Sequence, residues 1–124
     1  MDVSVLIKEQ PWLTVRLQLA AIGKLHMSGR FHEVAPLELS TEKLSFLCDW
    51  EIPEAHSVKL NYELDDTCDR LLMQGKMLSR KPWGSRMLYT VRLEASEEQK
   101  LRITGILNRM MSCYATDRRL KCYQ

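Results

Sequence analysis

The chain has 124 residues, enough to bury a real core as a single domain without metals or several disulfides. Its 45% hydrophobic and 27% charged residues are those of an ordinary globular protein rather than a disordered or fibrous one. Eighteen basic against sixteen acidic side chains leave a formal charge of +2, which excludes a strong whole-molecule field toward nucleic acid or membrane, so any basic preference must be local.

The N-terminal segment, residues 1–11, combines a short apolar stretch with an early Asp2 and fits neither a signal peptide nor a membrane span. A cytoplasmic chain without membrane insertion is the expectation. From Trp12, "WLTVRLQL" alternates Leu13, Val15, Leu17 and Leu19 against Thr14, Arg16 and Gln18, the pattern of a half-buried strand. Gly23 and Gly29 mark a turn region. "RFHEVAPLEL" is a second extended segment, in which Pro36 predicts an edge position or a bulge. After a break at Ser40-Thr41-Glu42-Lys43, Leu44, Phe46 and Cys48 share a face, and Pro53 supplies a turn.

"SVKLNYEL" sets Val58, Leu60, Tyr62 and Leu64 against Ser57, Lys59, Asn61 and Glu63, and "DDTCD" ends it. "RLLMQGKMLSR" places Leu71, Met73, Gly75 and Met77 on one side, with Gly75 suited to a bulge or a close backbone approach. "KPWGSR" reads as a loop, and "MLYTVRL" then alternates Met87, Tyr89, Val91 and Leu93 against Leu88, Thr90 and Arg92. At Ser96 the period changes. Ser96 and Gln99 have capping-box spacing, Glu97 and Glu98 suit the positive end of a helix dipole, and Ile103, Ile106, Leu107, Met110 and Tyr114 form one apolar stripe. The expected architecture is mainly β: a small antiparallel six-stranded barrel with a C-terminal helix over one end, spanning residues 12–114, followed by a basic tail at 115–124.

Little here points to catalysis or to metal chemistry. The four cysteines, Cys48, Cys68, Cys113 and Cys122, show no CxxC or Cys/His spacing and are expected to be reduced. His26, His32 and His56 have no motif around them and read as ordinary strand or surface residues. The acidic pairs Asp65-Asp66 and Glu97-Glu98 have local explanations as turn and helix-start residues. Neither a nucleophile-base constellation nor a glycine-rich phosphate loop is present, so the chain is expected not to be an enzyme and to need no cofactor. Arg80, Lys81 and Arg86 around Trp83, and Arg118, Arg119 and Lys121 beside Tyr123, keep open a reading as a barrel that binds single-stranded nucleic acid.

From about Trp12 to Met111 the order of elements resembles the PilZ domain, on "LELSTEKLSF", "SVKLNYEL", "LLMQGKML" and "YTVRLEASEEQKLRITGILNRM". That resemblance implies a bacterial signalling barrel, a cyclic di-GMP receptor or an adaptor of the type IV pilus and motility machinery. The family's nucleotide site combines RxxxR with [D/N]xSxxG: paired guanidiniums grip the dinucleotide, and the glycine lets the backbone approach. The first motif falls on Trp12 to Arg16, with Trp12 in place of an arginine. The second falls on Glu38 to Lys43, where Ser40 matches while Glu38 and Lys43 do not. A degenerate site implies weak or no cyclic di-GMP binding and action through protein contacts, including a possible homo-oligomer. For those contacts Trp83 and Met111 are the candidates. The methionines at 73, 77, 110 and 111 give more apolar volume than a small barrel holds, and Met111 falls off the centre of the helix stripe.

Overall fold

The computed structural model describes the backbone of residues 5–6, 13–22, 25–26, 29–52 and 58–122, and the side chains of 13–21, 29–52 and 59–112. Eight strands precede one helix: β1 (Val5–Leu6), β2 (Thr14–Ile22), β3 (Leu25–His26), β4 (His32–Leu39), β5 (Lys43–Cys48), β6 (Val58–Asp65), β7 (Arg70–Trp83), β8 (Arg86–Leu93) and α1 (Glu97–Cys122). Six of the strands form the barrel, in the order β4-β5-β8-β7-β6-β2. The pairs Val15–Val34, Arg16–Glu33 and Leu17–His32 join β2 back to β4 and close it. The two-residue β1 and β3 add to β4 and β2. Every pairing is antiparallel, and the expected six-stranded barrel with its C-terminal helix is the fold observed.

Alternation decides which side chains fill the barrel. Leu13, Val15, Leu17, Leu44, Phe46, Cys48, Leu60, Tyr62, Leu64, Leu71, Met73, Tyr89, Val91 and Leu93 are all buried, each from the strand face expected to carry it. Phe46 lies between the rings of Tyr62 and Tyr89, with centroids 5.9 and 5.5 Å away. Pro36 sits at a register shift between Pro36 and Glu38, within a stretch of β4 that is paired to β5 but, among the described residues, not to β2 or β1. A missing N–H is tolerated there. Gly75 is a close approach: a Cβ at this position would lie 2.7 Å from Cε2 of Tyr62.

The expected loop at "KPWGSR" is a correction. Lys81–Leu88, Pro82–Met87 and Trp83–Arg86 remain in register, so β7 and β8 run on to a two-residue turn at Gly84-Ser85. Gly84 supplies the positive φ, 63°, that a tight hairpin turn of this kind requires at its first position.

The helix starts as its capping box predicts. Ser96 N–H donates to Oε1 of Gln99 at 3.0 Å, and Gln99 N–H returns a bond to Oγ of Ser96 at 3.1 Å. Ile103, Ile106, Leu107 and Met110 are buried over the barrel end that holds the turns at 40–43 and 66–69. Polar contacts fix the docking angle: Gln99 Nε2 donates to the Leu72 carbonyl at 3.0 Å, Arg102 forks onto Asp69, and Arg109 Nε donates to Asp66 at 2.6 Å. The helical backbone continues to Cys122, through most of the segment 115–124 that the sequence marks as a basic tail. Among the described residues no helix is long and apolar enough to cross a membrane.

Candidate functional site

The residues that carry the nucleotide-site resemblance fall in two places. Glu38, Ser40 and Lys43 meet at the β4–β5 turn, which closes through Ser40 N–H to the Lys43 carbonyl at 2.9 Å. Ser40 is only 5% exposed, and its hydroxyl accepts the N–H groups of Lys43 at 3.0 Å and Glu42 at 3.3 Å. Small hydroxyl residues favour such local backbone bonding. Arg16 is elsewhere. It stands opposite Glu33 on one side and Glu63 on the other, and its Nη1 donates to Glu63 Oε1 at 2.7 Å. Glu33 precedes Ser40 by seven positions along β4, so at strand rise Arg16 is roughly 20 Å from the turn. Trp12 lies outside the described residues.

A second grouping was not legible in the linear sequence. Lys43 of β5 pairs with Arg92 of β8, and Arg92 pairs with Lys76 of β7, so three exposed cations occupy one rung of the outer surface. Like charges directly opposite one another across strands destabilise a sheet. None of the three forms an ion pair among the described residues. The neighbouring rung is polar, with Ser45 Oγ 3.2 Å from Thr90 Oγ1, Ser79 paired to Thr90, and the acidic Glu38 of β4 paired to Ser45 on the other side. Outward positions in "GKML" and "VRL" contained the signal, but only strand register brings them together.

The barrel end opposite the helix carries the exposed aromatic side chains. Trp83, 53% exposed at the tip of the β7–β8 hairpin, has Lys81 Nζ 5.6 Å from its ring centroid. Trp50, 42% exposed, stacks on His32 with centroids 4.0 Å apart and planes 13° from parallel. The β4–β5 register explains this contact: Ala35 pairs with Leu47, and counting on past the last paired residues sets His32 opposite Trp50. His32 is therefore more than an ordinary strand histidine. Its Nε2 lies 2.9 Å from Oδ1 of Asp49, and this bond is the main reason the Asp49 carboxyl is held below its usual range.

Side chains beneath the segment that follows β5 hold its backbone. Tyr89 Oη accepts Ile52 N–H at 2.6 Å and donates to the Trp50 carbonyl at 2.5 Å, while Arg80 Nη1 donates to the Ile52 carbonyl at 2.8 Å. Trp50 N–H donates to Cys48 Sγ at 3.3 Å. Burial nevertheless pushes the Cys48 thiol up, the direction opposite to that of an activated nucleophile. Met111, the other candidate contact residue, is 43% exposed on α1 beside buried Met110. No family model matches the chain, and no curated protein matches it.

Proposed function

We propose that the chain is a PilZ-like, non-enzymatic adaptor domain of the bacterial cytoplasm, of the kind used in motility or pilus assembly. It acts through protein contacts and does not take up cyclic di-GMP at physiological levels. One observation carries the second half of this reading: Ser40, the position that matches the nucleotide loop, commits its hydroxyl to its own turn. Arg16, the retained arginine, is neutralised by Glu63 on another part of the barrel. Phosphate recognition needs free guanidiniums converging with a glycine-opened backbone. Here the charges are apart and Lys43 occupies the glycine position. The exposed aromatics, Trp50 on a backbone tied down by Tyr89 and Arg80 and Trp83 on the paired β7–β8 hairpin, suit protein docking, because aromatic side chains dominate binding energy at well-ordered contacts. Calorimetric titration of the full chain with cyclic di-GMP is the test: no heat of binding is expected, and sub-micromolar affinity overturns the reading.

Lys81 over Trp83 and the Lys43–Arg92–Lys76 rung favour a second reading, a barrel that binds single-stranded nucleic acid by backbone attraction and base stacking. That reading requires oligonucleotide affinity that falls steeply with salt, since bound counterions are released on association. A gel-shift experiment at low salt without retardation eliminates it.

A further inference from the structure

We propose that His32, Cys48 and Asp49 form a binding site for a divalent cation of borderline softness, zinc foremost. The inference is independent of the adaptor reading. Sequence spacing hides the site, because Cys48 and Asp49 are adjacent while His32 arrives from sixteen residues upstream through the β4–β5 pairing. One ligand atom from each residue lies within 4.8 Å of the other two, with the His32–Asp49 edge at 2.9 Å and the Cys48–Asp49 edge at 4.0 Å. Tetrahedral zinc, with bonds of about 2.0–2.3 Å, sets its ligand atoms roughly 3.3–3.6 Å apart. The His32–Asp49 edge must therefore open and the Cys48–Asp49 edge close by a few tenths of an ångström each. The His32–Cys48 edge, at its 4.8 Å limit, must close by about 1 Å, a movement within reach of side-chain rotation at exposed Asp49 and half-buried His32.

Trp50 prepares two of these ligands. The Trp50 ring fixes the plane of the His32 imidazole by stacking, and Trp50 N–H donates to Cys48 Sγ, a bond that stabilises a thiolate. Tyr89 and Arg80 hold the backbone at Trp50 and Ile52, just beyond Asp49. Asp49 is exposed, which gives water or a partner's side chain access as a fourth ligand. The bonding balances simply: zinc(II) displaces the thiol proton of Cys48, which leaves to solvent, and imidazole and carboxylate coordinate without redox change. A bound ion would clasp the start of β4 to the segment after β5 beside exposed Trp50.

The test uses the full chain with Cys68, Cys113 and Cys122 changed to serine, so that Cys48 is the remaining thiol. Titration with cobalt(II) chloride is expected to give a thiolate-to-cobalt charge-transfer band that zinc(II) chloride abolishes. His32→Gln, which leaves the thiol in place, is expected to weaken cobalt binding at least roughly tenfold, since even outer-sphere partners are worth that much. In the unmodified chain, zinc is expected to raise the unfolding midpoint in proportion to the logarithm of free zinc, and His32→Gln to remove that rise. Absence of the band overturns the proposal. So does a band insensitive to both His32→Gln and Asp49→Asn, which would mark adventitious thiol binding, or an equal zinc-dependent midpoint shift in His32→Gln.

Discussion

Gly75→Ala tests the tightest point of the barrel. Gly75 of β7 pairs with Leu60 on one side and Leu93 on the other, and the Tyr62 ring lies across it. An added Cβ would stand 2.7 Å from Cε2 of Tyr62, 3.0 Å from Cδ2 and 3.2 Å from the Arg92 carbonyl oxygen. Carbon atoms pack at about 3.5–4.0 Å, so the ring must retreat by roughly 1 Å. It has little room to do so, being 1% exposed with Phe46 5.9 Å away. Forcing a methyl group into a packed core costs about 1–3 kcal/mol, while the stiffer unfolded chain of the alanine variant returns about 0.4–1 kcal/mol. A net loss of about 1–2 kcal/mol is expected, read by denaturant unfolding at constant slope, or as a midpoint drop of roughly 4–10 °C on heating. Tyr62→Leu removes the clashing edge at its own cavity cost. The double variant should then lose about 1 kcal/mol less than the sum of the single variants. Unchanged stability in Gly75→Ala, or strict additivity with Tyr62→Leu, refutes the reasoning.

Three further outcomes follow from single contacts. Ser96→Ala removes one half of the reciprocal cap and should cost about 1 kcal/mol in equilibrium unfolding. The Arg102 guanidinium, chiefly by hydrogen bonding, holds the half-buried Asp69 carboxyl below its usual range. A depressed carboxylate stabilises the fold above its unfolded pKa and loses that contribution as pH falls through the folded value. Arg102→Gln should therefore flatten the acid limb of stability against pH, the two proteins converging at low pH in denaturant midpoints measured from neutral pH downward. Met111→Glu alters an exposed side chain, so it should weaken partner or self-association, followed by light scattering after gel filtration, while leaving the thermal midpoint nearly unchanged. A large midpoint drop would place Met111 in the core.

The barrel was readable because its strands keep strict two-residue periodicity over whole segments, as in Val15–Leu17 or Leu60–Tyr62–Leu64, and because the change of period at Ser96 comes with a complete capping box. Pro36 and Gly75 were readable too, each for a steric reason that does not depend on tertiary context. The β7–β8 hairpin was not. Pro82, Trp83 and Gly84 together look like loop chemistry, yet a single positive-φ glycine suffices for the turn while flanking residues stay paired. The rung of Lys43, Arg92 and Lys76 and the cluster of His32, Cys48 and Asp49 escaped for another reason: each is assembled across strands by register, and register belongs to the closed barrel rather than to any local segment.

The two ends of the barrel differ in what they leave unused, and that difference carries the functional argument. At the helix end, Ile103, Ile106, Leu107 and Met110 of the α1 stripe are buried, while the side chain of Tyr114 lies outside the described residues; Asp66 and Asp69 are matched by Arg109 and Arg102, and Ser40 and Ser96 are committed to a turn and a cap. Apart from Arg109 Nη2, which is buried without a hydrogen-bond partner, those groups are already partnered. At the opposite end, Trp50 and Trp83 stand in solvent although the backbone between Cys48 and Ile52 is fastened by Tyr89, Arg80 and the Cys48 sulfur. Exposed aromatic area on an ordered backbone lowers the entropy cost of association, because little remains to be fixed when a partner arrives. A cation held by His32, Cys48 and Asp49 would lower it further on the Trp50 side. Partner affinity that rises with zinc in the unmodified chain, but not in His32→Gln, is the result that would join the docking surface to the metal site.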